Sequence, residues 1–270
     1  MKLDVAFLPS LFRESGQYVC VVVDVLRASS SLVVLLERGV EEVLPASSIG
    51  EARRLARRPA GPHYLLCGER GGLPPPGFHY GNSPVEFAGL ELGGRRAILC
   101  TSNGTRALAR AAAAPLVLVG ALLNATAVGR AAAEAAAERE LGVAVVCSGD
   151  EGGTAFSLED ALGAGAIVDA ILGLGREAPP RQAPAARVGV RARLELSDGA
   201  LAALTISRAH QGQEQAALRA GSHARDLEVL GLGEDLSFCA RRDAFATVPH
   251  LQRDEDDRPV LRRYSSASRG

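Results

Sequence analysis

Five short apolar runs in this chain each stop abruptly in polar and glycine residues. Val19–Val23 ends in D-V-L-R, Tyr64–Cys67 in G-E-R-G-G, Ala97–Cys100 in T-S-N-G-T, Leu116–Val119 in G-A-L-L-N and Val143–Cys147 in S-G-D-E-G-G. Short apolar runs bounded in this way suit strands buried on both faces. Helix-forming stretches separate them. These are the aliphatic Leu32–Leu36 segment that stops at Gly39, a segment capped by Ser48 and Glu51, the alanine run after Thr101, a helix to about Glu140, and one beginning at Ser157. Leu3–Leu8 and Glu41–Leu44 add two further strands. Strands alternating with helices predict a largely parallel (mixed) sheet whose carboxyl edge collects its loops in one crevice. Loops that merely connect need not repeat the same ending five times. That crevice is the expected site.

Its expected contents follow from those endings. The first run delivers Asp24, Arg27 and the hydroxyl of Ser29 to the mouth of a helix. Asp24 suits a helix cap as well as a ligand, with Arg27 then simply solvated. Thr101, Asn103, Gly104 and Thr105 place hydroxyls and backbone N–H groups at a helix start, a ready anion site, with Arg106 one step inside. This is no Walker loop, because G-x-x-x-x-G-K-S/T is absent. Glu69 and Arg70 open a long loop that Asn82-Ser83-Pro84 closes, and loops of such length commonly bind or cover ligands. Asp160 lies three residues after Ser157, so capping accounts for it and leaves Glu159 the freer carboxylate. Asp24, Glu69 and one of Glu159 or Asp160 make a converging oxygen set for a hard cation such as Mg²⁺. Arg27, Arg70 and Arg106 would offset an anionic substrate.

Composition removes several classes of function. The formal net charge is −1, without the basic bias that nucleic acid demands, and no apolar stretch approaches the ~18 residues of a membrane span. No signal peptide is visible at the start. The five cysteines show no C-x-x-C spacing, which argues against a zinc cage and suits a reducing cytoplasm. Asp24 invites comparison with the haloacid-dehalogenase phosphatases, but Leu26 stands where their second aspartate belongs. Residues 1–250 are read as one α/β domain with a flexible connector near 174–190 and a mostly helical part at 191–240; 251–270 are read as a mobile tail. Of five scattered histidines, His223 in S-H-A-R-D stands out. The sequence leaves a homo-oligomer open.

Together, D-V-L-R-A-S-S-S, G-E-R-G-G with G-N-S-P, T-S-N-G-T-R-A-L, G-x-L-x-N-A, S-G-D-E-G with S-L-E-D, and D-L-x-F-C-A before V-P resemble the 2-phosphosulfolactate phosphatase family, in the family's order. The resemblance implies a three-layer α/β/α fold of its own kind and a cytoplasmic, magnesium-dependent phosphatase. It would release phosphate from (R)-2-phospho-3-sulfolactate, a small anionic phosphorylated substrate, in coenzyme M biosynthesis. Carried over by motif, Asp24, Arg27, Glu69, Arg70, Asn82, Thr101, Asn103, Thr105, Arg106, Asn124, Glu159 and Asp160 form the implied site. The alternatives are a phosphatase for another small phosphorylated acid and a non-catalytic binder of anionic metabolites.

Overall fold

The structure, a computed structural model, describes residues 1–57, 63–174 and 194–265. Five strands, β1 (Lys2–Ala6), β2 (Tyr18–Val23), β6 (Leu116–Gly120), β7 (Gly142–Cys147) and β8 (Glu195–Leu196), run parallel to their neighbours in the order β6-β2-β7-β1-β8. A second parallel block contains β3 (Glu42–Ala46), β4 (Tyr64–Gly68) and β5 (Arg96–Cys100). Between the blocks lies an antiparallel hairpin of β9 (Pro249–Arg253) and β10 (Pro259–Arg263), which completes one ten-stranded sheet. The connector expected at 174–190 falls almost wholly on residues outside those described.

Helices cover both faces, giving the three-layer α/β/α arrangement that the family resemblance implies. Side-chain alternation along β2 explains the layering. Val19, Val21 and Val23 pack with α5 (Ala125–Glu138) and α6 (Leu158–Leu174), whereas Cys20 and Val22 pack with α1 (Ala28–Glu37) and α4 (Gly104–Ala111). The same second core takes Val43, Leu65, Cys67, Ala97 and Leu99 from the other block, whose opposite face is covered by α2 (Ile49–Ala56). The remaining helices are α3 (Pro84–Ala88), α7 (Asp198–Ala209), α8 (Glu214–Ala220), α9 (Ser222–Val229) and α10 (Gly233–Cys239). The expected helical part at 191–240 is therefore present, with β8 added on the sheet edge.

The expected mobile tail is corrected. Residues 251–263 are structural, and they sit at the centre of the sheet. Leu261 pairs with Val43 on one side of the hairpin and Leu251 with Val117 on the other. The charges that suggest a solvated tail belong to the turn, where the Asp254 carboxylate accepts the N–H groups of Asp256 and Arg258 at 3.0 and 2.9 Å. Arg262 pairs with Glu42 at 2.6 Å. Three successive antiparallel pairings reverse the strand direction three times, so the two parallel blocks run in opposite senses along the sheet. Residues that follow strands of both blocks, Asp24 after β2 and Glu69 after β4, nevertheless line one cleft.

Candidate active site

The carboxyl ends of β2, β4, β5 and β7, faced by α9, enclose a cleft of about 450 Å³. Asp24, Glu69 and Asn103, far apart in the chain, all line it.

Asp24 follows the last residue of β2 and is nearly fully buried. Its Oδ1 accepts the Ala28 N–H at 3.0 Å, so it does cap α1, and its own N–H donates to Ser29 Oγ at 2.9 Å. The second carboxylate oxygen points at the start of α4. A β-carbon on Gly104 would stand 2.9 Å from Asp24 Oδ2, 2.7 Å from Ala28 Cβ and 3.3 Å from Thr101 Oγ1. Only glycine lets the helix start come this close. Asn103, the residue just before α4, does not cap it with its side chain; its Oδ1 accepts the Gly152 N–H at 2.8 Å. The first-turn amides of α4 are thus left without a side-chain cap beside a buried carboxylate. Burial pushes Asp24 up to about 6, and the charges of Glu69 and Glu159 add to the effect, while the Ala28 N–H and His223 oppose it.

Glu69, beyond β4, accepts Ser102 N–H at 2.7 Å with Oε1 and Gly72 N–H at 3.1 Å with Oε2. It ties two loops together. Arg27 lines the cleft and donates to Asp235 Oδ2 and to the Gly72 carbonyl, each at 2.8 Å. Asn82 lines the cleft as well; its Oδ1 and Thr101 Oγ1 are buried with no partner. Asp160 is held between two amides, Val25 N–H at 2.9 Å and Gly149 N–H at 3.0 Å, and Ser157 Oγ caps its helix turn at 3.1 Å. Desolvation first, then Asp24 and Glu159, hold its carboxyl well above the usual range. Glu159 is likewise raised, chiefly by burial, with the nearby His223 opposing.

Several expected site residues stand elsewhere. Ser29 supports the Asp24 backbone and, with Thr105, borders an adjoining gap of about 10 Å³. Thr105 donates its hydroxyl to the Thr101 carbonyl. Arg70 is exposed on its loop and Arg106 is exposed with its guanidinium on the Gly152 carbonyl at 3.0 Å, so neither lines the cleft. Among the residues lining it, Arg27 is the one arginine. Asn124 is fully buried. Its Oδ1 accepts Ala121 N–H and its Nδ2 donates to the carbonyls of Val119 and Thr247, which makes it a brace under β6. Conversely, Gly72, Asp150, Glu151, Asp226 and Leu230 line the cleft without being singled out beforehand. Asp150 and Glu151 lie in S-G-D-E-G-G and Asp226 in S-H-A-R-D beside His223, so the signal was their neighbourhood.

A family model described as 2-phosphosulpholactate phosphatase matches residues 7–254. The chain belongs to that family. Among its relatives, a probable 2-phosphosulfolactate phosphatase of Deinococcus radiodurans is 38% identical over 95% of both chains. One of Carboxydothermus hydrogenoformans is 35% identical over 93% of this chain and 94% of its own. A third, of Symbiobacterium thermophilum, is 37% identical over 86% and 90% respectively. As a 2-phosphosulfolactate phosphatase family member, the protein is a hydrolase acting on a phosphoric monoester.

Among the described residues, no three His, Cys, Asp or Glu side chains form a group that could hold a metal ion. Both oxygens of Asp160 and of Glu69 already face backbone amides. What the family member offers a cation is Asp24 Oδ2 with the unpartnered oxygens of Thr101 and Asn82 nearby, an all-oxygen set. Mg²⁺ is commonly bound by one or two carboxylates together with waters and substrate phosphate rather than by an all-protein cage. The residues fit that mode. No helix among the described residues is long and apolar enough to cross a membrane.

Proposed function

We propose that this protein is a Mg²⁺-dependent phosphatase that hydrolyses (R)-2-phospho-3-sulfolactate to 3-sulfolactate and phosphate. One observation carries the reading: Asp24 Oδ2 faces the uncapped start of α4 across Gly104. The helix N-terminus supplies N–H groups and positive potential to the phosphoryl oxygens. Asp24, fixed at Oδ1 by Ala28, presents Oδ2 to the same phosphorus centre. Arg27, held from behind, offers its remaining N–H groups to a second anion of the substrate. Leu26, Leu227 and Leu230 form the apolar part of the wall and limit water around the ester. Asp24 Oδ2, with the unpartnered oxygens of Thr101 and Asn82, would hold Mg²⁺, which when bound would neutralise charge on the phosphoryl and leaving oxygens. Phosphoryl transfer of this kind depends on positioning and electrostatics, which the cleft residues supply. The free, buried state of the five cysteines supports a cytoplasmic location.

The presence of a single arginine on the cleft favours a second reading, a phosphatase for a small phosphorylated acid bearing one further anion. Phosphate release from phosphosulfolactate, phosphoglycolate and phosphoglycerate, each with and without Mg²⁺, tests both. The first reading expects phosphosulfolactate to have the highest kcat/KM and its turnover to stop on chelation. A higher value for either of the other esters overturns it in favour of the second.

A further inference from the structure

We propose that Asp235 is the positioning residue that aims Arg27 into the cleft and so sets the preference for phosphate esters carrying a second anion. The inference rests on the reading of this cleft as the phosphatase site. Asp235 belongs to α10 and does not line the cleft, and its side chain and that of Arg27 are each 2% exposed. Its Oδ2 accepts Arg27 Nη1–H at 2.8 Å, while Oδ1 accepts Ser83 Oγ–H at 2.6 Å and Val85 N–H at 3.4 Å. Ser83 adjoins Asn82, so one carboxylate ties together the two loops that bring Arg27 and Asn82 to the cleft.

A buried ion pair is weak evidence for stability, because desolvating two charges offsets most of their attraction. Its clearer consequence here is geometric. A guanidinium has five N–H donors in a rigid plane. Asp235 fixes the plane on one side and the Gly72 carbonyl on another, at 2.8 Å each, and the side chain held in this way lines the cleft. The other cleft-lining charged groups are Asp24, Glu69, Asp150, Glu151, Asp226 and the titratable His223, so the orientation of this arginine decides whether a non-reacting anion finds a partner. Asp235 lies 208 residues from Arg27, which gives the C-terminal helices a defined part in substrate choice.

The test uses the full chain with Mg²⁺ and compares Asp235→Asn, Arg27→Lys and the double variant. For each, kcat and KM are measured on 2-phospho-3-sulfolactate and on p-nitrophenyl phosphate, which lacks a second anion. Asp235→Asn is expected to raise KM for phosphosulfolactate about tenfold or more with a smaller change in kcat, the scale of one charge-assisted hydrogen bond. The ratio of kcat/KM between the two esters falls toward that of Arg27→Lys, and the double variant is no worse than the poorer single. An equal loss on both esters marks a merely structural role and overturns the inference, as does a ratio that stays at the wild-type value. If Asp235→Asn does not fold, Asp235→Glu misplaces the same charge by one methylene, and an unchanged ratio there also overturns it. Wild-type protein that turns over neither ester overturns the reading of the cleft, and this inference with it.

Discussion

Asp24 and Gly104 approach so closely that no side chain fits between them: a β-carbon on Gly104 would lie 2.9 Å from Asp24 Oδ2. The contact joins the end of β2 to the start of α4, two elements from oppositely directed blocks of the sheet. Gly104→Ala must therefore displace Asp24, Ala28 or the helix start. Overpacking of this kind costs about 1–3 kcal/mol. The expected outcome is a loss of that order in urea unfolding, together with a fall of roughly tenfold or more in kcat/KM, because the phosphoryl site and the carboxylate no longer share one geometry. Full activity in Gly104→Ala would show that they do not act as a unit.

Asp24 gives a pH-dependent prediction. Its carboxyl is pushed up to about 6, so the folded chain holds this proton more tightly than the unfolded chain does. Keeping the group ionised thus costs stability at pH values above about 6, and the cost fades as the pH falls through that value toward the ordinary carboxylate range. Asp24→Asn keeps an acceptor for Ala28 N–H and removes the charge. In divalent-free buffer the variant should be more stable than the wild type by about 1–3 kcal/mol at pH 8, with the difference gone near pH 4. The same substitution should lower phosphatase activity at least about 100-fold. Thermal melts at the two pH values, paired with phosphate-release assays, check both halves.

The features legible in the sequence were those encoded locally. Short apolar runs gave the strands of both parallel blocks except β8, and the polar endings placed Asp24, Glu69 and Asn103 on one cleft. The Ser157 cap on the Asp160 N–H followed from a three-residue spacing, whereas the Val25 and Gly149 amides that hold the Asp160 carboxylate are outside its reach. Side-chain direction was less accessible. Arg70 and Arg106 each lie next to or near a cleft residue in sequence yet do not line the cleft; Arg106 instead donates to the Gly152 carbonyl, and Arg70 is exposed on its loop. The β9–β10 hairpin was hidden by its charges: D-E-D-D reads as solvated, whereas it forms a turn whose flanking Leu251, Val260 and Leu261 enter the sheet. The Arg27–Asp235 pair is non-local, and no spacing rule reaches it.

Asn124 separates a structural role from a binding role. It has no place on the cleft, and its amide serves three backbone groups at the end of β6, among them the Thr247 carbonyl just before β9. Asn124→Ala leaves these groups buried and without partners, at about 1–3 kcal/mol for each that finds no replacement. A drop in unfolding free energy of roughly 2–4 kcal/mol is expected, with KM for the phosphate ester unchanged while the protein remains folded. A raised KM without lost stability would instead return Asn124 to the substrate site.

Gly72 joins the two charged arms of the cleft through a single residue. Its N–H is given to Glu69 at 3.1 Å and its carbonyl accepts from Arg27 at 2.8 Å, with φ at +81°. A β-carbon there would meet Leu230 Cδ1 at 2.5 Å, but that methyl can swing aside. The backbone has no such freedom, because left-handed φ is costly for any residue with a side chain, on the order of 1 kcal/mol or more. Gly72→Ala should relieve that strain by rotating the peptide, which breaks one or both hydrogen bonds and lets the arginine turn from its aim. Activity on an ester with a second anion should then fall several-fold through KM while the melting temperature moves by only a few degrees. Gly72→Asn, whose side chain tolerates the left-handed region better, should recover part of the loss. Equal defects in the two variants would place the cause in the contact with Leu230 rather than in the backbone.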